Sequence, residues 1–220
     1  MNSDLHFLFI DDHPTIIEGY KSILKDKYSA RPVQITAAYT SESGYEKLFQ
    51  SNKVYDLVVL DIGLPAYLPQ RIESGEDLAF LIQKQYPQTK ILISTSHLEA
   101  FILYNIVKKV NPDGLMIKSD FKPDEFVHGV EQVLRGEIYY SQTVRNAIKE
   151  VAQQSDALDS IDRRIVSLLS KGIKTKNIPA HLGISLSAVD KRKAQIKDFF
   201  NIVKGTDEDI IREASKRGLI

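Results

Sequence analysis

The chain has 220 residues, 43% of them hydrophobic, and 29 Lys and Arg balance 29 Asp and Glu, so the formal net charge is zero. This hydrophobic fraction is ample for a core and argues against a disordered chain, and the absence of cysteine excludes a disulfide framework, thiolate zinc sites and thiol catalysis. The amino terminus is too weakly apolar for a signal peptide, and no window approaches the roughly 18 apolar residues of a membrane span, so we expect a soluble, cytoplasmic protein with no membrane partner.

The charged residues are distributed unevenly along the chain. From residue 156 to the end, 13 Lys and Arg stand against 9 Asp and Glu, whereas the residues before it carry 16 against 20. An acidic front and a basic back indicate two units with different partners. We expect a first domain over residues 1–136, a helical linker over 137–156 and an all-helical second domain over 157–220.

The first domain alternates short apolar runs with amphipathic stretches. The predicted strands cover residues 5–10, 33–38, 57–60, 91–93 and 114–117. The predicted helices cover residues 14–27, 41–50, 76–85, 99–110 and 123–134, with Pro14 in a first turn and Ser41 as an N-cap. Because strands that are apolar on both faces suit a parallel sheet covered by helices, the pattern predicts a flavodoxin-like (βα)5 doubly wound fold.

Polar side chains follow four of the predicted strands. Asp11 and Asp12 come after the first strand and Asp61 after the third, while Thr95 and Lys118 come after the fourth and fifth. Because the carboxyl ends of parallel strands share one edge, we expect these groups to converge there. Clustered carboxylates repel one another, and a hard cation such as Mg²⁺ relieves that repulsion.

This set of groups suits phosphoryl transfer, in which positioning and charge neutralisation do most of the catalysis. Asp61 would attack phosphorus and form an acyl phosphate. One alternative is a phosphohydrolase with Asp61 as its nucleophile. The haloacid-dehalogenase phosphatases need a second acid two residues later, where this chain has Gly63. Another alternative is a module that acts only through protein contacts.

The motifs IDDHP at residues 10–14, VVLDIGLP at 58–65 and GLMIKSD at 114–120, together with Thr95, resemble the receiver domain of two-component response regulators. The resemblance covers residues 5–136 and implies that a histidine kinase phosphorylates Asp61. It implies a Mg²⁺ site formed by the acidic pair Asp11 and Asp12, by Asp61 and by the backbone carbonyl of Gly63, with Asp12 and Asp61 as direct ligands. It implies that Thr95 and Lys118 sense the phosphoryl group.

Two features depart from the receiver pattern. The family usually has Tyr or Phe three residues before the lysine, at the switch position, whereas this chain has Leu115. The stretch AYLPQRIES at residues 66–74 is several residues longer than the usual loop, and it could influence kinase choice, control access to the acyl phosphate or be a neutral surface insertion.

The second domain consists of short predicted helices separated by glycines. A helix over residues 175–182, the turn Gly183-Ile184-Ser185 and a basic helix near 187–200 have the order of a helix-turn-helix. We expect the second helix to bury Val189, Ile196 and Phe200. We expect its other side to present the cations Lys191, Arg192, Lys193 and Lys197.

Residues 172–196 resemble the LuxR-type helix-turn-helix, and residues 210–220 resemble the fourth helix of that family, which commonly pairs two subunits. The resemblance implies a homodimer that binds double-stranded DNA. It places Lys191, Arg192 and Lys193 on the recognition helix and Ser185 at the turn before it. Asp190 departs from the family pattern, since that position is commonly basic.

Overall fold

The computed structural model describes residues 4–29, 33–51, 53–120, 122–200, 202–217 and 219–220, with the backbone alone for residues 153–157. The chain forms two compact units, Met1–Ile148 and Lys149–Ile220.

The first unit is built on a parallel sheet. Its strands are β1 (Leu5–Ile10), β2 (Val33–Ala38), β3 (Leu57–Leu60), β4 (Lys90–Thr95), β5 (Gly114–Ile117) and β6 (Tyr139–Tyr140), in the spatial order β2-β1-β3-β4-β5-β6. All pairings are parallel, and β1 and β3 are aligned so that Ile10 lies opposite Leu60. The two strands therefore end side by side.

Helices cover both faces of the sheet. They are α1 (Pro14–Lys27), α2 (Ser41–Tyr45) with a π-helical continuation (Glu46–Gln50), α3 (Gly75–Gln85), α4 (Ala100–Val110), α5 (Pro123–Leu134) and α6 (Gln142–Ala157). One apolar core contains side chains of α2, α3 and α4, and the other contains side chains of α1 and α5. This arrangement confirms the predicted doubly wound fold.

The predicted elements and the observed ones differ in detail. The N-cap of α2 is Thr40 and not Ser41, because the Thr40 hydroxyl accepts a hydrogen bond from the Ser43 N–H at 3.0 Å. Ser41 instead donates its hydroxyl to the Pro65 carbonyl at 2.6 Å. The sheet also has a sixth strand, which lies in the stretch that the sequence pattern assigns to a helical linker.

The segment 139–148 is part of the first unit. β6 lies beside β5, with the Tyr139 N–H donating to the Asp113 carbonyl and the Ser141 N–H to the Leu115 carbonyl, both at 3.0 Å. On α6, Val144 and Ala147 are buried in the apolar core next to α4. The expected linker therefore begins as a docked strand and half a helix.

Gly129 makes this docking possible. A Cβ at this position of α5 would lie 2.7 Å from the Tyr139 ring, closer than carbon atoms can approach. The missing side chain lets the buried ring of β6 pack directly on the helix backbone.

The second unit is helical. After the end of α6 it contains α7 (Ser160–Ser170), a 3₁₀ turn (Thr175–Asn177), α8 (Ile178–Leu182), α9 (Leu186–Phe199) and α10 (Asp207–Lys216). One apolar core joins these helices, and it includes the predicted Val189, Ile196 and Phe200. Thr206 is the N-cap of α10 and forms the predicted capping box, in which the Thr206 N–H donates to Asp209 Oδ2 at 2.7 Å.

In the part of the chain that the structure describes, none of the helices has both the length and the apolarity that crossing a membrane requires.

Candidate functional site

Asp11 and Asp61 lie next to each other because the strands that precede them are neighbours in register. The backbone continues the pairing beyond β1, since the Asp61 N–H donates to the Ile10 carbonyl at 2.9 Å. Both carboxylates are buried, with 4% and 5% of each residue exposed, whereas Asp12 beside them is exposed. The edge of the sheet therefore holds two desolvated acids and one solvated acid.

Lys118 neutralises the two buried acids. Its Nζ lies 2.7 Å from Asp11 Oδ2 and 2.7 Å from Asp61 Oδ2. Burial by itself would lower the pKa of Lys118, but the hydrogen bonds to Asp11 and Asp61 outweigh burial and hold its pKa above the ordinary value. The two carboxylates thus favour the charged form of the lysine at the point where the two strands end.

The second oxygen of Asp61 is also held in place. The Gly63 N–H donates to Asp61 Oδ1 at 3.0 Å, which fixes the plane of the carboxylate. The Thr95 hydroxyl is buried at the end of β4 and accepts a hydrogen bond from the His97 N–H at 3.1 Å. All the predicted groups of this site therefore occupy the carboxyl end of the sheet.

The acidic cluster can hold a metal ion. Asp11, Asp12, His13 and Asp61 each offer a ligand atom, and these atoms lie within 4.8 Å of one another. Three carboxylates against one ammonium leave an excess of negative charge, and oxygen donors suit Mg²⁺. The donor set therefore fits the predicted ion, while the part of the Gly63 carbonyl stays a prediction.

His13 belongs to this cluster although the sequence prediction did not include it. Its Nδ1 lies 2.7 Å from Asp12 Oδ1 and 3.1 Å from Asp11 Oδ1, and the imidazole is largely exposed. Its position directly after two aspartates is the sequence feature that could have identified it.

A second group missed by the sequence prediction lies near the acids. The Tyr20 hydroxyl on α1 and the Ser94 hydroxyl on β4 form a buried hydrogen bond of 2.7 Å. Burial raises the pKa of Tyr20 to about 12, the hydrogen bond to Ser94 opposes this shift, and the charges of Asp11 and Asp61 add to it. The hydroxyl pair joins α1 to the strand that carries Thr95.

Leu115, at the switch position, is fully buried in β5. Its neighbour in register on β6 is Tyr140, which packs against the same apolar core. An aromatic ring therefore lies beside this position, but it comes from the docked segment and not from β5.

The long loop after β3 is an ordered element. Tyr67 and Ile72 exchange backbone hydrogen bonds of 2.7 and 3.2 Å, and the Ile72 side chain is fully buried. Arg71 turns the chain between them in the left-handed conformation, with φ of 57°. The loop is thus a small hairpin that the buried Ile72 side chain anchors.

The helix-turn-helix of the second unit has the expected local geometry. α8 ends at Gly183, whose φ of +67° suits a residue without a Cβ. Ser185 is the N-cap of α9, since its hydroxyl accepts a hydrogen bond from the Ala188 N–H at 3.2 Å. The first predicted DNA-contacting residue thus lies at the start of the second helix, in a capping role.

The expectation that four cations line the exposed side of α9 is wrong for three of them. Arg192 Nη1 donates to Asp159 at 2.6 Å and to Asp162 at 2.9 Å, both acids lying at the start of α7. Lys193 Nζ lies 2.6 Å from Asp207 Oδ1 and donates to Thr175, and Lys197 Nζ donates to the Gly205 carbonyl. These side chains hold α9 against its neighbours, and Lys191 alone of the four is exposed.

Other exposed lysines lie before α9. Lys171, Lys174 and Lys176 occupy the turn between α7 and α8, and among the described residues none of them forms a side-chain ion pair. The KxxKxK spacing of these three lysines is the sequence feature that could have identified them.

Residues 7–131 match the family model described as the response regulator receiver domain. The transcriptional regulatory protein MctR of Rhizobium johnstonii is 27% identical, over 98% of this chain and 95% of that protein. The oxygen regulatory protein NreC of Staphylococcus epidermidis is 25% identical, over 98% of this chain and 99% of that protein.

Solved structures share the fold. RcsB from Salmonella enterica serovar Typhimurium, bound to a promoter, superimposes with a TM-score of 0.62 at 15% sequence identity, over 96% of this chain and 98% of that one.

Proposed function

Because the chain belongs to the response regulator receiver family, we propose that it is a DNA-binding response regulator of a two-component phosphorelay and that Asp61 accepts the phosphoryl group. The observation that carries this proposal is the convergence of Asp61, Asp11 and Lys118 within hydrogen-bonding distance at the carboxyl end of the sheet. A sensor histidine kinase is the partner that would donate the phosphoryl group.

Asp61 acts as the nucleophile. One of its carboxylate oxygens attacks the phosphorus of a phosphohistidine, an oxygen–phosphorus bond forms, and the phosphorus–nitrogen bond breaks as the imidazole takes up a proton. Asp11, Asp12, Asp61 and the Gly63 carbonyl would hold Mg²⁺, which when bound neutralises charge on the phosphoryl oxygens.

Lys118 and Thr95 respond to the product. Lys118 pairs with the Asp61 carboxylate before transfer and would pair with a phosphoryl oxygen after it, while the Thr95 hydroxyl would donate to another. Added charge at this edge would shift the end of β4 and the turn after β5. At the switch position, Leu115 replaces the aromatic residue that is usual in this response, and Tyr140 lies next to it.

Mass spectrometry after incubation with acetyl phosphate and Mg²⁺ tests the acceptor. We expect one phosphoryl group that is stable in acid and labile in base, and Asp61→Asn should remove it. Thr95→Val is the matched control, since that variant keeps the nucleophile. Labelling of Asp61→Asn to the wild-type extent would exclude Asp61 as the acceptor.

The alternative of a phosphohydrolase is disfavoured by Gly63, which stands where a second catalytic acid would be needed and whose N–H binds Asp61. We propose that the chain has no enzymatic activity beyond self-catalysed phosphoryl acceptance and hydrolysis at Asp61. Steady turnover of phosphate esters would contradict this.

The second unit supplies the output. α8, the Gly183 turn and α9 have the order and caps of a helix-turn-helix, and one relative is named a transcriptional regulator. We propose that residues 157–220 bind double-stranded DNA as a homodimer, that Ser185 and Lys191 face the DNA, and that Lys171, Lys174 and Lys176 contact phosphates. Arg192, Lys193 and Lys197 then position the helix.

Titration of a labelled duplex with the full chain, with and without acetyl phosphate, tests the output. Binding should weaken steeply as salt increases. A protein that acts only through protein contacts, the remaining alternative, would show no salt-dependent binding to any duplex.

A further inference from the structure

The exposed face of α9 carries an unusual set of side chains. Because three of its cations are tied to α7, α10 and their connecting loops, they do not define this face. The residues exposed to solvent at helical spacing are Ser187, Asp190, Lys191, Ala194, Gln195 and Asp198, which gives two acids and one base. The face that would enter a DNA groove is therefore not generally cationic.

Asp190 is a free carboxylate in the first turns of this face. Within the described residues, it forms neither a side-chain hydrogen bond nor an ion pair, so its oxygens are available to a ligand. In a helix-turn-helix the N-terminal residues of the second helix reach the base edges. Asp190 follows Ser185, the N-cap, by little more than one turn.

A carboxylate that reaches the base edges has a chemical preference among the bases. In the major groove cytosine presents the N4 amino donor, which a carboxylate accepts, whereas guanine presents two acceptors that repel it. Adenine presents a donor next to the N7 acceptor, so that a carboxylate meets one attraction and one repulsion. Cytosine is the base that fits.

We infer that Asp190 is a specificity-determining residue that selects a cytosine in each half-site by accepting a hydrogen bond from its N4 amino group. The inference rests on the proposed DNA binding and adds the base that is read. Repulsion between Asp190 and phosphates lowers affinity for other DNA, so the acid costs general affinity and gains discrimination.

The test is selection of binding sites from randomised duplexes by the full chain in the presence of acetyl phosphate and Mg²⁺. Wild type should select a motif with one invariant cytosine per half-site. Asp190→Asn should replace that cytosine by adenine, because an amide can pair with adenine N6 and N7 together. Asp190→Ala should leave that position without preference.

Asp198→Asn is the matched control. It removes the same charge from the same exposed face but lies about 12 Å further along the helix, beyond the residues that reach base edges. Its motif should equal that of the wild type. With the cytosine of the selected site replaced, wild-type affinity should fall on the order of 10-fold, and that of Asp190→Ala should stay constant.

Two negative results are distinguishable. If wild type selects a motif and Asp190→Asn and Asp190→Ala select the same one, or if Asp198→Asn changes it equally, the role of Asp190 is refuted while DNA binding stands. If wild type selects no motif and binds no duplex in a salt-dependent way, the proposed DNA binding fails and the inference falls with it.

Discussion

Replacing Arg192 by Ala should destabilise the helical unit and should not act as the loss of a DNA contact. The Arg192 guanidinium donates to Asp159 and Asp162, and the Asp162 side chain is only 7% exposed. Without the arginine, Asp162 Oδ1 would lose its partner in a place that water reaches poorly. The cap of α7 would remain, since Asp159 Oδ1 still accepts from the Ile161 and Asp162 N–H groups.

The magnitude follows from the burial of the acid. A hydrogen bond to a buried charged group contributes about 1.5–3 kcal/mol. Because Arg192 itself is 26% exposed, water can partly replace it, and we expect a loss of about 2 kcal/mol. For a domain of this size, each kcal/mol shifts the Tm by about 4–8 °C, so the Tm of the helical unit should fall by about 8–16 °C.

Calorimetry of the full chain can measure this shift, because the transition that Mg²⁺ does not stabilise belongs to the helical unit. Lys191→Ala is the matched control: it should leave that Tm unchanged and reduce the salt slope of duplex binding by about 1. The reasoning would be refuted by an Arg192→Ala protein with the wild-type Tm and a salt slope lowered as in Lys191→Ala.

Three further substitutions, the first with a matched control, test the packing and the pKa values. Gly129→Ala should lower the free energy of unfolding of the first unit by about 1 kcal/mol or more, and with it the Tm, because the new Cβ would meet the Tyr139 ring at 2.7 Å. The matched control is Gly19→Ala, whose Cβ would meet no described atom within 4 Å, and this variant should raise the free energy of unfolding by about 1 kcal/mol. Burial raises the pKa of Tyr20 to about 12. The buried neutral hydroxyl therefore contributes fully to the stability of the fold below pH about 10, and this contribution is lost as the pH rises from about 10 to about 12. The free energy of unfolding of Tyr20→Phe, measured from denaturation curves, should depend less on pH in that range. Burial by itself would raise the pKa of Asp207, but hydrogen bonds from Lys193 and Thr175 outweigh burial and lower the pKa overall. The Asp207 carboxylate therefore stabilises the fold above pH about 4, and this stabilisation is lost as the pH falls further. Asp207→Asn should make the free energy of unfolding depend less on pH below about 4, and an unchanged pH dependence would contradict the ion pair.

The fold and the acidic cluster were predictable because both follow from local rules. A short apolar run that is followed closely by Gly63 and Pro65, such as residues 57–60, indicates a buried strand, and the strands end where Asp11, Asp61 and Lys118 stand. Since parallel strands end at one edge, residues far apart in sequence meet there without any knowledge of their rotamers. The sequence pattern therefore predicts those features of the site that depend only on the order of strands and helices.

The side chains of α9 were harder to predict because their direction depends on tertiary partners. Arg192 and Lys193 lie on the sides of the helix between its buried and exposed faces, where a long side chain can extend to solvent or toward a neighbouring helix. Ion pairs with Asp162 and Asp207 direct the two side chains toward neighbouring helices. The positions of those helices cannot be predicted from the sequence of α9. The strand at Tyr139 was missed for a similar reason, since two residues show no periodicity.

The excess of basic residues in the second unit therefore has two uses, and only one of them concerns a ligand. Arg192 and Lys193 are neutralised by acids of the same unit, so they contribute little to the field outside it. Lys191 and the exposed lysines before α9 form no ion pair with the described residues, so under the proposed DNA binding they are available to phosphates. The salt slope of duplex binding should thus report these exposed lysines and not the total charge of the unit.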